Sequence, residues 1–130
     1  MSRSILVVHF SHAGSTSRLA DAVCQGVDDP VFEGTVSALP SNALDTHFSD
    51  VAATDGLVIV SPTHFGYMGG AIKVFLERIY HPTLESGRVL PWALVVNGDT
   101  DVDGAVDSVE RIVPALPWRR GMTPQKIVGD

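Results

Sequence analysis

The sequence predicts an α/β protein built as a doubly wound parallel sheet. Short apolar runs alternate with amphipathic stretches along the chain. Two of these runs, 56–60 and 92–96, are continuously apolar, as strands covered on both faces are. Strand–helix alternation also requires right-handed crossovers, which make neighbouring strands parallel.

The first strand is Ile5 to Phe10, and the first helix runs from about Ser15 to Gly26, with Leu19, Ala22 and Val23 on one face. Val31 to Val36 alternates like a half-exposed edge strand that Gly34 weakens. Ser41 is placed to cap a second helix, whose Leu44, Phe48 and Val51 fall four and seven positions along one face. Gly56 to Val60 is the third strand. The third helix has the clearest stripe, Ile72, Phe75, Leu76 and Ile79, while Lys73, Glu77 and Arg78 face water. Trp92 to Val96 is the fourth strand, and a fourth helix carries Val106, Val109, Ile112 and Val113 up to Pro114. Gln125 to Val128 suits a final edge strand.

Composition narrows the function. The 130 residues suffice for one domain, 1–130, and the apolar fraction of 45% is ordinary for a globular chain. A net charge of −6 speaks against nucleic acid and anionic membranes, which both demand clustered Lys and Arg. No apolar run is long enough to span a bilayer, and Ile5 to Phe10 is too short for a signal peptide. A single cysteine permits no internal disulfide, so the expected setting is the cytoplasm. His9, His12, His47, His64 and His81 show no metal-ligand spacing, and no metal is expected. Cys24 reads as a small buried residue.

Ligands of open α/β sheets bind beyond the C-terminal ends of the strands. Three loops sit at that edge. The first, Ser11-His12-Ala13-Gly14-Ser15-Thr16, joins a strand to a helix N-terminus and has the geometry of a phosphate site. It contains neither G-x-G-x-x-G nor a Gly-Lys-Ser/Thr sequence, so neither a dinucleotide fingerprint nor a Walker loop is present. Backbone amides and the hydroxyls of Ser11, Ser15 and Thr16 remain as anion ligands. Arg18 reads either as a solvated residue of the outer helix face or as a phosphate contact. The second loop, Ser61 to Gly70, combines Pro62 and three glycines with His64, Phe65 and Tyr67. Its aromatic surface suits a flat conjugated ligand or simply packs on the scaffold. The third, Asn97 to Gly104, is polar and acidic.

These residues resemble the flavodoxins. The first loop is similar to their phosphate loop, Ser/Thr-x-Thr-Gly-Asn-Thr. The stretches Asp55 to Gly66 and Gly70 to Leu76 resemble their third strand, flavin loop and following helix. The turn Pro62-Thr63-His64-Phe65-Gly66 looks like that of flavodoxin-like NAD(P)H:quinone reductases and their small relatives. The resemblance covers most of residues 4–100 and implies a five-stranded sheet of order 2-1-3-4-5. It also implies FMN, with Ser11, His12, Gly14, Ser15 and Thr16 at the phosphate. Pro62, Thr63, His64, Phe65 and Gly66 would lie beside the reactive ring edge, and Asn97, Gly98 and Asp99 along the pyrimidine side. His64 is then the candidate catalytic residue, orienting an acceptor or donating a proton.

Ala13 and Ser15 stand where the family often has a hydroxyl and Asn, which weakens the phosphate site. The third loop lacks the stacking Tyr or Trp of many flavodoxins. Its Asp99, Asp101, Asp103 and Asp107 would lower the second reduction potential of a nearby flavin, or simply form a solvated loop with an Asp helix cap. No fifth helix follows the last strand in the sequence, so apolar residues of strands three and four are expected to face water on one side. A second subunit is expected to bury them in a homo-oligomer, unless the chain is a shortened form. The functional expectation is an FMN-dependent oxidoreductase working from NAD(P)H to a quinone-type acceptor, although no nicotinamide site is recognisable. A one-electron carrier serving a redox partner protein, and a flavin-free scaffold module, are the alternatives.

Overall fold

The computed structural model describes residues 3–11, 14–29, 31 and 35–129. Strands β1 (Arg3–His9), β2 (Val36–Asn42), β3 (Gly56–His64) and β5 (Pro91–Gly98) form a parallel sheet in the spatial order β2-β1-β3-β5. Two short strands share the fifth position. β6 (Arg119–Arg120) pairs with the start of β5 and β7 (Gln125–Val128) with its end, both parallel. Pro124, which has no N–H to donate, stands just before β7 resumes the ladder. The short β4 (Tyr67–Met68) folds back on β3 as a hairpin. This is the doubly wound sheet of order 2-1-3-4-5 that the sequence predicts.

Alternation along the strands divides the core. Leu6, Val8, Leu57, Ile59, Trp92, Leu94 and Val96 point to one face, under α2 (Phe48–Ala52), α3 (Gly70–Ser86) and α4 (Val102–Glu110). The stripe Ile72, Phe75, Leu76 and Ile79 of α3 is fully buried there. Val7, Val60 and Val95 point to the other face, where α1 (Ser15–Val27) supplies Ala20 with Leu19 and Val23. Ala22, expected on that inner stripe, is exposed.

The expected open face is present but narrower than expected. α1 buries Val60 and Val95 completely or nearly so, whereas Val58 and Ala93 remain half-exposed in a groove that Met122 borders. Trp118 packs on the opposite face.

Three elements fall elsewhere than the sequence suggests. The second strand is 36–42 rather than 31–36, of which Phe32, Glu33 and Gly34 lie outside the described residues. Pro40 is tolerated within it because β2 is the outermost strand, pairing only with β1. Ser41 therefore lies within a strand, one residue before its end, and hydrogen-bonds Thr46, while the helix starts after His47, whose N–H donates to the Asp50 carboxylate at 2.8 Å. The fourth helix covers Val102–Glu110, and Pro114 sits in a separate short turn, Val113–Ala115.

Candidate functional site

Three loops converge at the C-terminal edge of β1, β3 and β5. In the first, the Ser11 hydroxyl accepts the Gly14 N–H at 2.7 Å and closes the turn. Gly14 has φ +95°, a left-handed conformation that glycine adopts without penalty, and it precedes α1 as the N-cap residue. The leading N–H groups of α1 have no intrahelical acceptor and point out of its N-terminus. Thr16 is buried, and its hydroxyl donates to Asn97 Oδ1 at 2.9 Å, joining positions 81 apart in sequence. His12 and Ala13 lie outside the described residues.

The second loop is a β3–β4 hairpin. His64 pairs with Tyr67, leaving Phe65 and Gly66 as a two-residue turn with φ +56° and +70°. Positive φ at both central positions is the signature of a type I′ turn, which favours Asn-Gly and penalises a bulky residue. Phe65 is fully exposed at 107%. Several contacts hold the hairpin. Buried Ser61 Oγ donates to the Pro62 carbonyl at 2.8 Å and accepts the Gly69 N–H at 3.0 Å. The Met68 N–H donates to Ser108 Oγ of α4 at 2.9 Å. The tip lies so close to α4 that a Cβ on Gly104 would collide with the Gly66 carbonyl, and one on Gly66 with the Asp101 carboxylate.

The third loop follows β5. Gly98 passes Thr63 at a distance that admits no side chain, since a Cβ there would stand 2.8 Å from Thr63 Oγ1. That oxygen is buried and has no hydrogen-bond partner. Asp101, at φ +55°, is the N-cap residue of α4, but its side chain makes no cap bond. The acidic residues here are exposed, and Asp103 pairs with Lys126 of β7 at 2.7 Å. That hydrogen bond and the carboxylate charge raise the Lys126 pKa.

Between the loops lies a cleft of about 510 Å³, lined by Ser15, Arg18, Pro62, Thr63, His64, Asn97, Gly98, Asp99 and Gly129. Sites of about 300–1,000 Å³ accommodate small molecules and cofactors. At the end of β1, His9 is partly buried, and its Nδ1 has no hydrogen-bond partner. Desolvation lowers its pKa, with nearby Asp21 opposing the shift. Among the described residues, no three His, Cys, Asp or Glu side chains converge on a metal position.

The predicted residues are thus distributed unequally. Ser15, Pro62, Thr63, His64, Asn97, Gly98 and Asp99 form the wall. Ser11, Gly14 and Thr16 build the loop behind it, with both side-chain hydroxyls already hydrogen-bonded. Phe65 and Gly66 stand on the rim, one in solvent and the other against α4. Sequence reasoning undervalued Arg18, which is exposed yet lines the cleft, and missed Gly129, whose N–H donates to the Gly98 carbonyl at 3.0 Å. No pattern in the sequence marks Gly129. The glycine at 14, four positions before Arg18, was the available signal for the latter, because it leaves space for a side chain folding back.

No protein-family model matches the chain. Solved structures match it over nearly its whole length. A flavodoxin from the domain Archaea has a TM-score of 0.81 at 15% identity, with 98% of this chain and 84% of that one covered. An oxidoreductase from Corynebacterium diphtheriae has 0.79 at 16% identity, with 97% and 81% covered. The flavodoxin of Streptococcus pneumoniae TIGR4 has 0.72 at 17% identity, with 96% and 84% covered. At such identities the similarity establishes the fold.

Proposed function

We propose, on the premise of this flavodoxin-like fold, that the protein binds FMN in the cleft and acts as a flavin-dependent oxidoreductase from NAD(P)H to a quinone-type acceptor. One observation carries the reading: a glycine-cornered helix N-terminus, the Pro62-Thr63-His64 end of β3 and an Asn-Gly-Asp strand end converge on one cleft of about 510 Å³. The residues suit the group. Ser11, Gly14, Ser15 and the first turn of α1 would hold the phosphate, with Thr16 bracing the loop through Asn97. Pro62, Thr63, His64, Phe65 and Gly66 would flank the ring edge, and Asn97, Gly98 and Asp99 its pyrimidine side.

Bound FMN supplies the electron and hydride chemistry. The chain supplies position. Because Asn97 Oδ1 accepts from Thr16, its amide Nδ2 is left to donate to a carbonyl of the ligand. Thr63 Oγ1, buried and unpartnered, offers a second hydrogen bond whose absence would be costly. Buried Pro62 and Ser61 exclude water behind the hairpin. His64 is half-exposed on the wall, and there it would orient an acceptor or pass it a proton from an imidazole nitrogen.

The first test is the colour of the purified protein, followed by titration of the colourless form with FMN. Absence of binding at micromolar FMN refutes the reading and leaves a flavin-free scaffold, which the engaged hydroxyls of Ser11 and Thr16 would suit. Oxidation of NADH or NADPH with a quinone then tests the enzyme. Bound FMN without turnover selects the one-electron carrier, for which the fully exposed Phe65 offers a contact to a partner protein.

A further inference from the structure

We propose that Arg18 is the charge partner of the ligand's phosphate, and that it makes the cleft select a phosphorylated flavin over the unphosphorylated one. The inference rests on the FMN reading above, and deepens it by naming the residue that sets ligand class.

Arg18 lies in the first turn of α1, where its N–H donates to the Gly14 carbonyl at 3.0 Å. Its side chain does not extend away from the helix. Nη1 lies 3.4 Å from the position a Cβ on Gly14 would take, so the guanidinium overlies the glycine corner of the loop. It lines the main cleft and also a second chamber of about 330 Å³, which shares Ser15, Asn97 and Gly129 with the first. Among the described residues, no other Lys or Arg lines either space and no ion pair engages Arg18.

The neutral donors of the loop are scarcer than its composition suggests. The Gly14 N–H goes to Ser11, and the Thr16 hydroxyl goes to Asn97. An anion entering the cleft meets the Ser15 hydroxyl, the orphan N–H groups of the α1 N-terminus, and Arg18. It also meets Asp99 on the same wall, in a chain of net charge −6. A dianionic phosphate is poorly served by a few neutral donors in such a field. A guanidinium with five N–H donors in a planar fork, held over the loop, offsets the repulsion and can bind two phosphate oxygens at once. A ligand ending in a hydroxyl instead of a phosphate has nothing for it to recognise.

The test is fluorescence titration of the full chain with FMN and with riboflavin, at low and moderate salt, for the unaltered protein, Arg18→Gln and Arg18→Lys. Arg18→Gln is expected to weaken FMN by about 10-fold, the lower range for a hydrogen bond to a charged group at an exposed site. Riboflavin affinity should change less than about twofold, since charge pairing with the phosphate is the only interaction removed. Arg18→Lys should restore part of the FMN affinity, keeping the charge while losing the fork. The salt dependence of FMN binding should flatten in Arg18→Gln, because one charge pair fewer is screened. FMN binding that Arg18→Gln leaves unchanged, or FMN and riboflavin weakened alike, overturns the assignment and leaves the FMN reading standing. Failure of the unaltered protein to bind FMN overturns that reading and the assignment together. Arg18 is exposed, so both variants are expected to fold, and matching thermal transitions verify it.

Discussion

Phe65→Asn should stabilise the protein, although it removes an aromatic ring. Phe65 has φ +56° in a two-residue hairpin turn, and for an L-residue other than Gly, Asn or Asp that conformation costs about 1–2 kcal/mol. Ring burial normally outweighs such a penalty. Here it does not, because at 107% exposure the ring has no burial to lose. Asn adopts the left-handed conformation with little strain and is preferred before Gly in this turn type. The expected gain is about 1 kcal/mol, which for a chain of this size raises Tm by about 4 °C. Thermal unfolding followed by circular dichroism, with urea unfolding in parallel, measures it. Phe65→Ala serves as the control: it removes the same ring, keeps most of the strain, and should leave Tm nearly unchanged. If Phe65→Asn lowers Tm, or if both variants destabilise equally, Phe65 makes contacts in solution that its exposure denies, and the strain argument is wrong. If stability rises while flavin binding or turnover falls, the strained ring is retained for function.

Three further expectations follow from particular contacts. Gly104→Ala puts a more helix-favourable residue into α4 yet should destabilise by about 2 kcal/mol or more, because its Cβ would strike the Gly66 backbone rather than a movable side chain; urea unfolding decides the sign. Thr16→Val keeps the shape but leaves Asn97 Oδ1 without its donor, at about 1–2 kcal/mol, read by the same assay, and FMN affinity should fall with it. His9 has a folded pKa below its ordinary value of 6.5 because burial disfavours the imidazolium. The unfolded chain therefore binds the extra proton first, so stability is complete above about pH 6.5 and is lost as pH falls towards the folded pKa. His9→Phe should flatten that acid limb in pH-dependent urea unfolding, and an unchanged slope assigns the titration to other groups.

Much of the scaffold was legible because buried parallel strands leave a plain signature. Val7 and Val8, Ile59 and Val60, and Leu94 and Val95 are apolar on consecutive positions because each face of the sheet meets a helix. The α3 stripe was legible because period 3.6 appears in the sequence itself. β2 was not. An outer strand half in water needs no apolar run, and Pro40, which usually interrupts a sheet, is harmless where no neighbour requires its N–H. The split of the fifth strand around residues 121–124 escaped detection for the same reason: its residues are mostly exposed and carry little pattern.

The candidate site divides along a different line. Loop composition by itself determined which three segments belong to the ligand edge, because glycines, proline and hydroxyls must occur where a chain turns sharply between strand and helix. Tertiary structure decided what each side chain in those loops is free to do. Thr16 and Asn97 engage each other across 81 positions, Gly66 is wedged against Gly104, Phe65 is turned into solvent, and Arg18 folds back over Gly14. Turn chemistry is local, whereas the availability of a donor depends on what packing brings within about 3 Å of it. A hydroxyl that looks like a ligand group along the sequence becomes a brace once the far strand supplies its acceptor.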